Sequence, residues 1–278
     1  MGRRLFIFGL GFSARVIARE AAAQGWQIAG TTRGGETVNG VPTWRFDRDH
    51  PLPAEALAGT THLLSSVPPD DAGDPVLDIM GPALAALPLA WAGYLSTTGV
   101  YGDHDGAWVD EDTPVDPNLD RSRRRAAAER QWLASGLPVH LFRLAGIYGP
   151  GRSAIDSVRA GTAKRIVKPG QVFSRIHVDD IAQAVLASAV RPDPGRIYNL
   201  CDDDAAPPQD VIAHACTLLG VEPPPEIPYD QAELSAMARS FYADNKRVRN
   251  ERMKRELGVV LKYPTYREGL AAMVTDRT

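Results

Sequence analysis

The sequence predicts a doubly wound α/β fold, with a parallel central sheet and a smaller C-terminal cap. Three observations carry it. Short apolar, β-favouring runs alternate with helical patterns from Arg3 to Leu200. The first of these runs ends in a glycine-rich turn that opens a helix. After about residue 205 the alternation stops, and Pro207-Pro208, Pro223-Pro224-Pro225 and Pro228 punctuate short helices. Strands alternating with helices favour a parallel sheet covered on both faces, with ligand at the carboxyl ends of the strands.

The elements follow in order. Arg3–Phe8 reads as a strand ending at Gly9. Ser13–Gln24 reads as a helix, because Val16, Ile17 and Ala21 recur at helical spacing and Gly25 stops it. Trp26–Thr31, Thr43–Phe46 and His62–Val67 are the next strands, the last closed by Pro68-Pro69. Asp74–Leu87 is expected to be helical and Gly93–Ser96 a fifth strand. Arg123–Ser135 is a helix capped by Gly136, and Val139–Leu144 a sixth strand. Asp179–Val190 is a helix and Arg196–Leu200 a seventh strand. The charged stretch Asn245–Leu257 reads as a surface helix. Residues 1–204 are expected to form the sheet domain and 205–278 the cap, to which 151–175 contribute.

Composition narrows the function classes. The 278 residues carry a net charge of −3, so no basic excess exists to track nucleic acid. At 44% hydrophobic and 23% charged the chain is ordinary globular material. No apolar run is long enough for a bilayer, and the N-terminal run breaks at Gly9 without a cleavage site. Cys201 and Cys216 lie in no CxxC or histidine cluster, so neither a disulfide framework nor a zinc site is implied. The expectation is a soluble cytoplasmic protein with a small-molecule substrate and neither a nucleic-acid nor a membrane partner.

Gly9-Leu10-Gly11-Phe12-Ser13-Ala14 is a GxGxxA at a strand-to-helix turn. Gly9 permits the turn, Gly11 lets a pyrophosphate approach the backbone, and Ala14 lets helix pack on strand. The free N–H groups of the helix start, around Phe12 and Ser13, then face the phosphates. The second strand ends Gly30-Thr31-Thr32-Arg33, with no carboxylate for a ribose 2′-hydroxyl. Arg33 is placed to meet a 2′-phosphate, and Thr32 adds a hydroxyl, so NADP is preferred over NAD. The plain alternative is a solvated loop arginine.

Further segments complete a pattern. They are Leu95–Gly102 (LSTTGVYG), Arg143–Gly151 (RLAGIYGPG), Ile176–Ala182 (IHVDDIA) and Tyr198-Asn199-Leu200. Together with the glycine turn this series resembles the extended short-chain dehydrogenase/reductases, the NAD-dependent epimerase/dehydratase family, over nearly the whole chain. The resemblance implies a Rossmann-like domain with a small C-terminal substrate domain, acting mostly on nucleotide sugars. It places Thr97 at the family's catalytic Ser/Thr. It sets Phe46-Asp47 at the adenine and Ser65, Ser66 and Val67 beside the cofactor. It also implies dimerisation through paired helices, for which Arg123–Ser135, with Trp132 and Leu133, offers one face; Trp132 fits a core role equally well.

The chain departs from the family at its catalytic YxxxK pair. Counting back from Ala126-Ala127-Ala128-Glu129, the Lys slot is Arg125 and the Tyr slot is Arg121. The glycine spacing differs from GxxGxxG, and Gly146 replaces the Asn that often precedes Tyr-Gly-Pro. The pattern is similar to the family's atypical members. It implies an NAD(P)-dependent oxidoreductase or epimerase for a nucleotide-sugar-like or other small polar substrate. The alternative is a catalytically inactive NADP(H)-binding regulatory or interaction protein.

A guanidinium stays charged near neutrality, so Arg121 cannot cycle a proton as the tyrosine would. Arg125 can take part of the lysine role or stabilise an oxyanion. Tyr101, Tyr148 and His104 sit on loops at strand ends; Tyr148 is taken as the acid/base and Tyr101 as a substrate contact. Arg121 to Arg125 read either as a solvated helix start or as an anion clamp, joined by Arg152 and Arg175 from the cap. Positive charge at a helix N-terminus is unfavourable by roughly 0.3–1 kcal/mol. His177 is read as structural, with Asp179 or Asp180 capping the next helix. The acidic turns Asp70-Asp71, Asp110-Glu111-Asp112 and Asp202-Asp203-Asp204 lack ligand spacing, so no metal is expected.

Overall fold

The computed structural model describes residues 2–275. Its core is one seven-stranded parallel sheet: β1 (Arg4–Phe8), β2 (Gln27–Thr32), β3 (Thr43–Arg45), β4 (His62–Ser65), β5 (Trp91–Thr97), β6 (Val139–Leu144) and β7 (Ile197–Leu200). The spatial order is β7-β6-β5-β4-β1-β2-β3. Leu5 of β1 pairs with Ile28 of β2 on one side and His62 of β4 on the other. The order reverses between β1 and β4, and that switch point opens a crevice at the carboxyl ends. All seven strands of the sequence analysis are present.

Helices α1 (Phe12–Ala23), α2 (Pro75–Ala85), α3 (Asp120–Ala134), α4 (Ala154–Arg159), α5 (Val178–Val190), α6 (Pro208–Leu219), α7 (Ala236–Phe241), α8 (Glu251–Leu257) and α9 (Tyr266–Thr275) surround the sheet. The strands are buried nearly throughout, as a sheet covered on both faces requires. Ile17 and Ala21 of α1 join Ile181 and Val185 of α5 in one core cluster. Val76, Met80 and Leu84 of α2 join Trp132 of α3 in the cluster under the other face. Trp132 is therefore core: it stacks on Tyr94 and donates from Nε1 to Asp74, whose other oxygen caps α2. Leu133 beside it is exposed.

Two local expectations are corrected. The charged stretch 245–257 is helical only from Glu251, because Arg247–Val248 pairs as a strand with Trp108–Val109. Its helix is also not a free surface element, since Met253 and Leu257 are buried against the main core. The cap of α5 is His177, whose Nδ1 accepts from the Asp179 N–H. Asp180 instead accepts from the N–H groups of Lys262 and Tyr263, fastening the chain before α9. Tyr148, Ile155, Val211, Tyr266 and Leu270 form a further cluster joining α4, α6 and α9. Among the described residues no helix is long and apolar enough to cross a membrane.

Candidate functional site

The crevice begins at the glycine turn. Gly9 takes φ +82°, its N–H donates to Thr31 Oγ1 at 2.9 Å, and its carbonyl accepts from Ser66 Oγ. A Cβ at Gly9 would lie 2.9 Å from Ser66 Oγ and 3.2 Å from the Val67 side chain, so β4 closes on the turn. Gly11 behaves differently, for a Cβ there would meet nothing within 4 Å. It is the N-cap of α1, with no side-chain cap and no acidic residue in the first turn. The N-terminal N–H groups of Phe12, Ser13 and Ala14 thus open into the cleft. A bare backbone backed by the positive helix end suits a diphosphate. Phe12 packs against Gly149, with the Arg152 guanidinium 5.6 Å above its ring.

From this turn the cleft, of about 810 Å³, runs along the ends of β5 and β6 to the C-terminal segment. Thr97 ends β5, half-buried, and its Oγ1 accepts the Gly99 N–H at 3.1 Å. Arg125 reaches it from α3 and is held by the Tyr94 hydroxyl at 2.9 Å and the Leu95 carbonyl at 3.1 Å. Ser122, one turn earlier, packs on Gly99. Arg121 lies at the far lip and donates to Ser240 Oγ of α7 at 2.6 Å, with Phe241 under its guanidinium. Arg175 lines the floor, its guanidinium donating to the Phe173 and Ala206 carbonyls. Burial lowers its pKa from the ordinary arginine value. The charged lining comprises Arg121, Arg125, Arg152, Arg175 and Lys246 against Asp244. Such a cleft attracts anions.

Two tyrosines stand elsewhere than expected. Tyr101 is fully buried outside the cleft: it accepts from Arg143 at 2.9 Å and donates to Asn199 at 2.8 Å. Its hydroxyl has no room for a substrate. Arg143 in turn forms a buried ion pair with Glu129 at 2.8 Å, and Glu129 accepts from Ser96. Tyr148 does line the cleft, but its hydroxyl points to α9, against Gly269 and the Thr265 carbonyl. With its hydroxyl turned away it forms a wall of the cleft, and burial pushes its pKa well above the usual tyrosine value. His104 is bonded to the Tyr101 carbonyl, and His177, edge-on to Tyr148, is pushed down to about 4 by burial.

At the end of β2, Thr32 is buried, and Arg33 is exposed with no side-chain hydrogen bond or ion pair among the described residues. The turn after β2 also folds Glu36 back. Its carboxylate lies where a Gly34 Cβ would come within 2.5 Å of Oε2. Hydrogen bonds from its own N–H, the Thr32 hydroxyl and the Gly34 N–H hold it below the usual carboxylate range. A carboxylate therefore does stand at the end of β2, brought there by a turn that adjacent-residue reading misses. Phe46 points into the core against Phe8, and Asp47 is tied to His50 and Arg45. Ser65 is fully buried, while Ser66 lines the cleft. Lys246 and Asp244 also line the cleft and carried no signal in the sequence. Among the described residues no cluster of three or more His, Cys, Asp or Glu side chains could hold a metal.

Comparison with known proteins gives the following. Residues 83–201 match the family model of the NAD dependent epimerase/dehydratase family. Protein YeeZ of Escherichia coli (strain K12) is 30% identical over 243 residues, covering 80% of this chain and 86% of YeeZ. A conserved protein of unknown function from Silicibacter pomeroyi superimposes with a TM-score of 0.91 at 54% identity, covering 99% of each chain. A candidate NAD-dependent epimerase/dehydratase from Methylobacillus flagellatus superimposes with a TM-score of 0.78 at 25% identity, covering 100% of this chain and 99% of that one.

Proposed function

The chain belongs to the NAD dependent epimerase/dehydratase family, and from that membership we propose that it is an NADP-preferring oxidoreductase or epimerase of the atypical extended short-chain type. Its substrate is a nucleotide-sugar-like or other small, polar, anionic compound. The observation that carries this reading is the uncapped start of α1 opening into the same cleft as Thr97 and Arg125. Gly11, Phe12 and Ser13 would hold the dinucleotide's diphosphate, with Arg152 beside it. Arg33 would take the 2′-phosphate, which requires the Glu36 carboxylate to leave the turn. The nicotinamide, when bound, supplies hydride transfer.

The chain's own residues do the rest. Thr97 presents a hydroxyl to the substrate oxygen, with its own oxygen already aligned by the Gly99 N–H. Arg125, braced by Tyr94 and Leu95, offers fixed donors to a ribose or to a developing oxyanion. Arg175 and Arg121 offer positive charge to the substrate's anionic group. The reading also takes the protein to be cytoplasmic, in keeping with two free, buried cysteines. It leaves Leu133 on the outer face of α3 free for a homodimer contact.

Calorimetric titration with NADP and NAD, followed by NADPH turnover with a panel of nucleotide sugars and carbonyl compounds, tests it. Turnover lost in Thr97→Ala is the expected outcome; absence of any dinucleotide binding overturns it. The second reading, a binding protein without catalysis, is favoured by the engagement of Arg121 with α7. It predicts NADPH binding with no turnover across the panel.

A further inference from the structure

The family's tyrosine slot holds Arg121, so the proton exchanged with the substrate oxygen needs another carrier. We propose that Lys246, positioned by Asp244 and the Gly102 carbonyl, is the group in this cleft that exchanges the proton with the reacting oxygen of the substrate. The proposal rests on the reading above and names a residue that reading leaves unassigned.

Elimination leads to it. No histidine or cysteine lines the cleft among the described residues. The lining arginines do not release a proton near neutrality. Of the two lining tyrosines, Tyr148 is turned to α9, and Tyr242 is buried with its ring packed on Phe173 and Tyr229. Serine and threonine hydroxyls do not ionise in this range and can only relay. Lys246 and Asp244 remain.

Their geometry is that of a held amine. Lys246 is only 9% exposed, and its Nζ donates to the Gly102 carbonyl at 2.5 Å and to Asp244 Oδ2 at 3.3 Å. An ammonium has three donors, so one is left. Asp244 also keeps a buried Oδ1 without a partner, an acceptor for a neighbouring substrate hydroxyl. Burial moves the lysine down from its ordinary value, opposed by the charges of Asp244 and Asp103. Gly102 lies five residues beyond Thr97 on the strand-end loop, so the amine and the threonine hydroxyl face one cleft.

In the oxidative direction the neutral Nζ takes the hydroxyl proton of the substrate and becomes an ammonium, while an oxidised nicotinamide dinucleotide, when bound, would supply the acceptor for the carbinol hydrogen and its electron pair, so that C–O becomes C=O. Reduction returns that proton to the oxygen. Asp244 is a positioning residue, because its charge holds the ammonium in place.

The chain has five lysines, Lys164, Lys168, Lys246, Lys254 and Lys262, which makes the test clean. Trace acetylation with acetic anhydride across a pH series, mapped by mass spectrometry, gives each amine its own titration curve. Lys246 is expected to reach half-reactivity at the lowest pH of the five, its curve shifted down by burial. Asp244→Asn shifts that curve lower still. An unreactive Lys246, or one whose curve lies no lower than those of the other four, overturns the proposal without the need for any variant. Calorimetry in buffers of different ionisation enthalpy supplies the second arm. NADP binding is expected to release more protons from the wild type than from Lys246→Met; equal release in both overturns it. If NADP does not bind at all, the functional reading fails, while the labelling still judges Lys246.

Discussion

Arg121 donates to Ser240 Oγ across 2.6 Å and lays its guanidinium 4.4 Å from the Phe241 ring centre, so it ties α3 to α7. Ala238 and Phe241 of the short helix α7 line the cleft, so α7 is one wall of the site.

Arg121→Ala should therefore loosen α7 more than it unfolds the protein. One partly exposed hydrogen bond and its stacking contribute about 1 kcal/mol, a small shift in Tm for a chain of this size. Hydrogen exchange across residues 236–241 should rise, and proteolytic nicking should concentrate there. Unchanged exchange in that helix would show that the contact holds nothing.

The end of β2 sets two opposite charges against each other. Arg33 lies free at the end of β2, while Glu36 fills the neighbouring turn with its own carboxylate. Arg33→Ala should weaken NADP about tenfold or more and leave NAD almost unchanged, since a hydrogen bond to a charged group contributes ~1.5–3 kcal/mol. Glu36→Ala should strengthen NADP by removing a like charge from the phosphate. Isothermal titration with both cofactors reads the ratio, and a ratio unmoved by either substitution rejects the assignment.

The legible part of this molecule is what neighbouring residues decide. The β1 run, the Gly25 stop after α1 and the Gly9–Ala14 turn are local, and each stands where the sequence predicts. The Glu36 carboxylate escaped because a turn with two glycines reverses the chain and returns it to Thr32. Tyr148 sits in a recognisable segment, yet its hydroxyl direction depends on Gly269, more than a hundred residues away. Lys246 and Asp244 have no motif; the pairing of Arg247–Val248 with Trp108–Val109 carries them to the cleft.

His177 makes stability depend on pH. Burial lowers its pKa from 6.5 to about 4, because the imidazole is enclosed by Tyr148 and Tyr263. A base lowered on folding contributes fully above its unfolded pKa, and that contribution is lost as pH falls from 6.5 through about 4. Asp180 next to it is raised to about 6 by burial, so its contribution runs the other way and is lost as pH rises through that value. His177→Asn puts a capping oxygen in place of Nδ1 at the start of α5 and removes the titration. Thermal melts of the two proteins should converge as pH falls from 6.5 toward 4, and a constant gap in Tm across that window would refute it.

The buried pair Glu129–Arg143 gives the sharpest stability test. Both side chains are about 95% buried, and the guanidinium also donates to Tyr101 while the carboxylate accepts from Ser96. Removing one partner leaves an uncompensated charge in the core, which costs about 3–5 kcal/mol. Glu129→Met should therefore cause a severe loss in urea unfolding, and Arg143→Leu a comparable one. Combining the two puts apolar residues in place of both charges and deletes the desolvation cost along with the attraction. The double variant should then be more stable than either single one, with a loss well below the sum of the two. Strictly additive losses would mean that the two residues act through their separate hydrogen bonds to Tyr101 and Ser96 and not through each other.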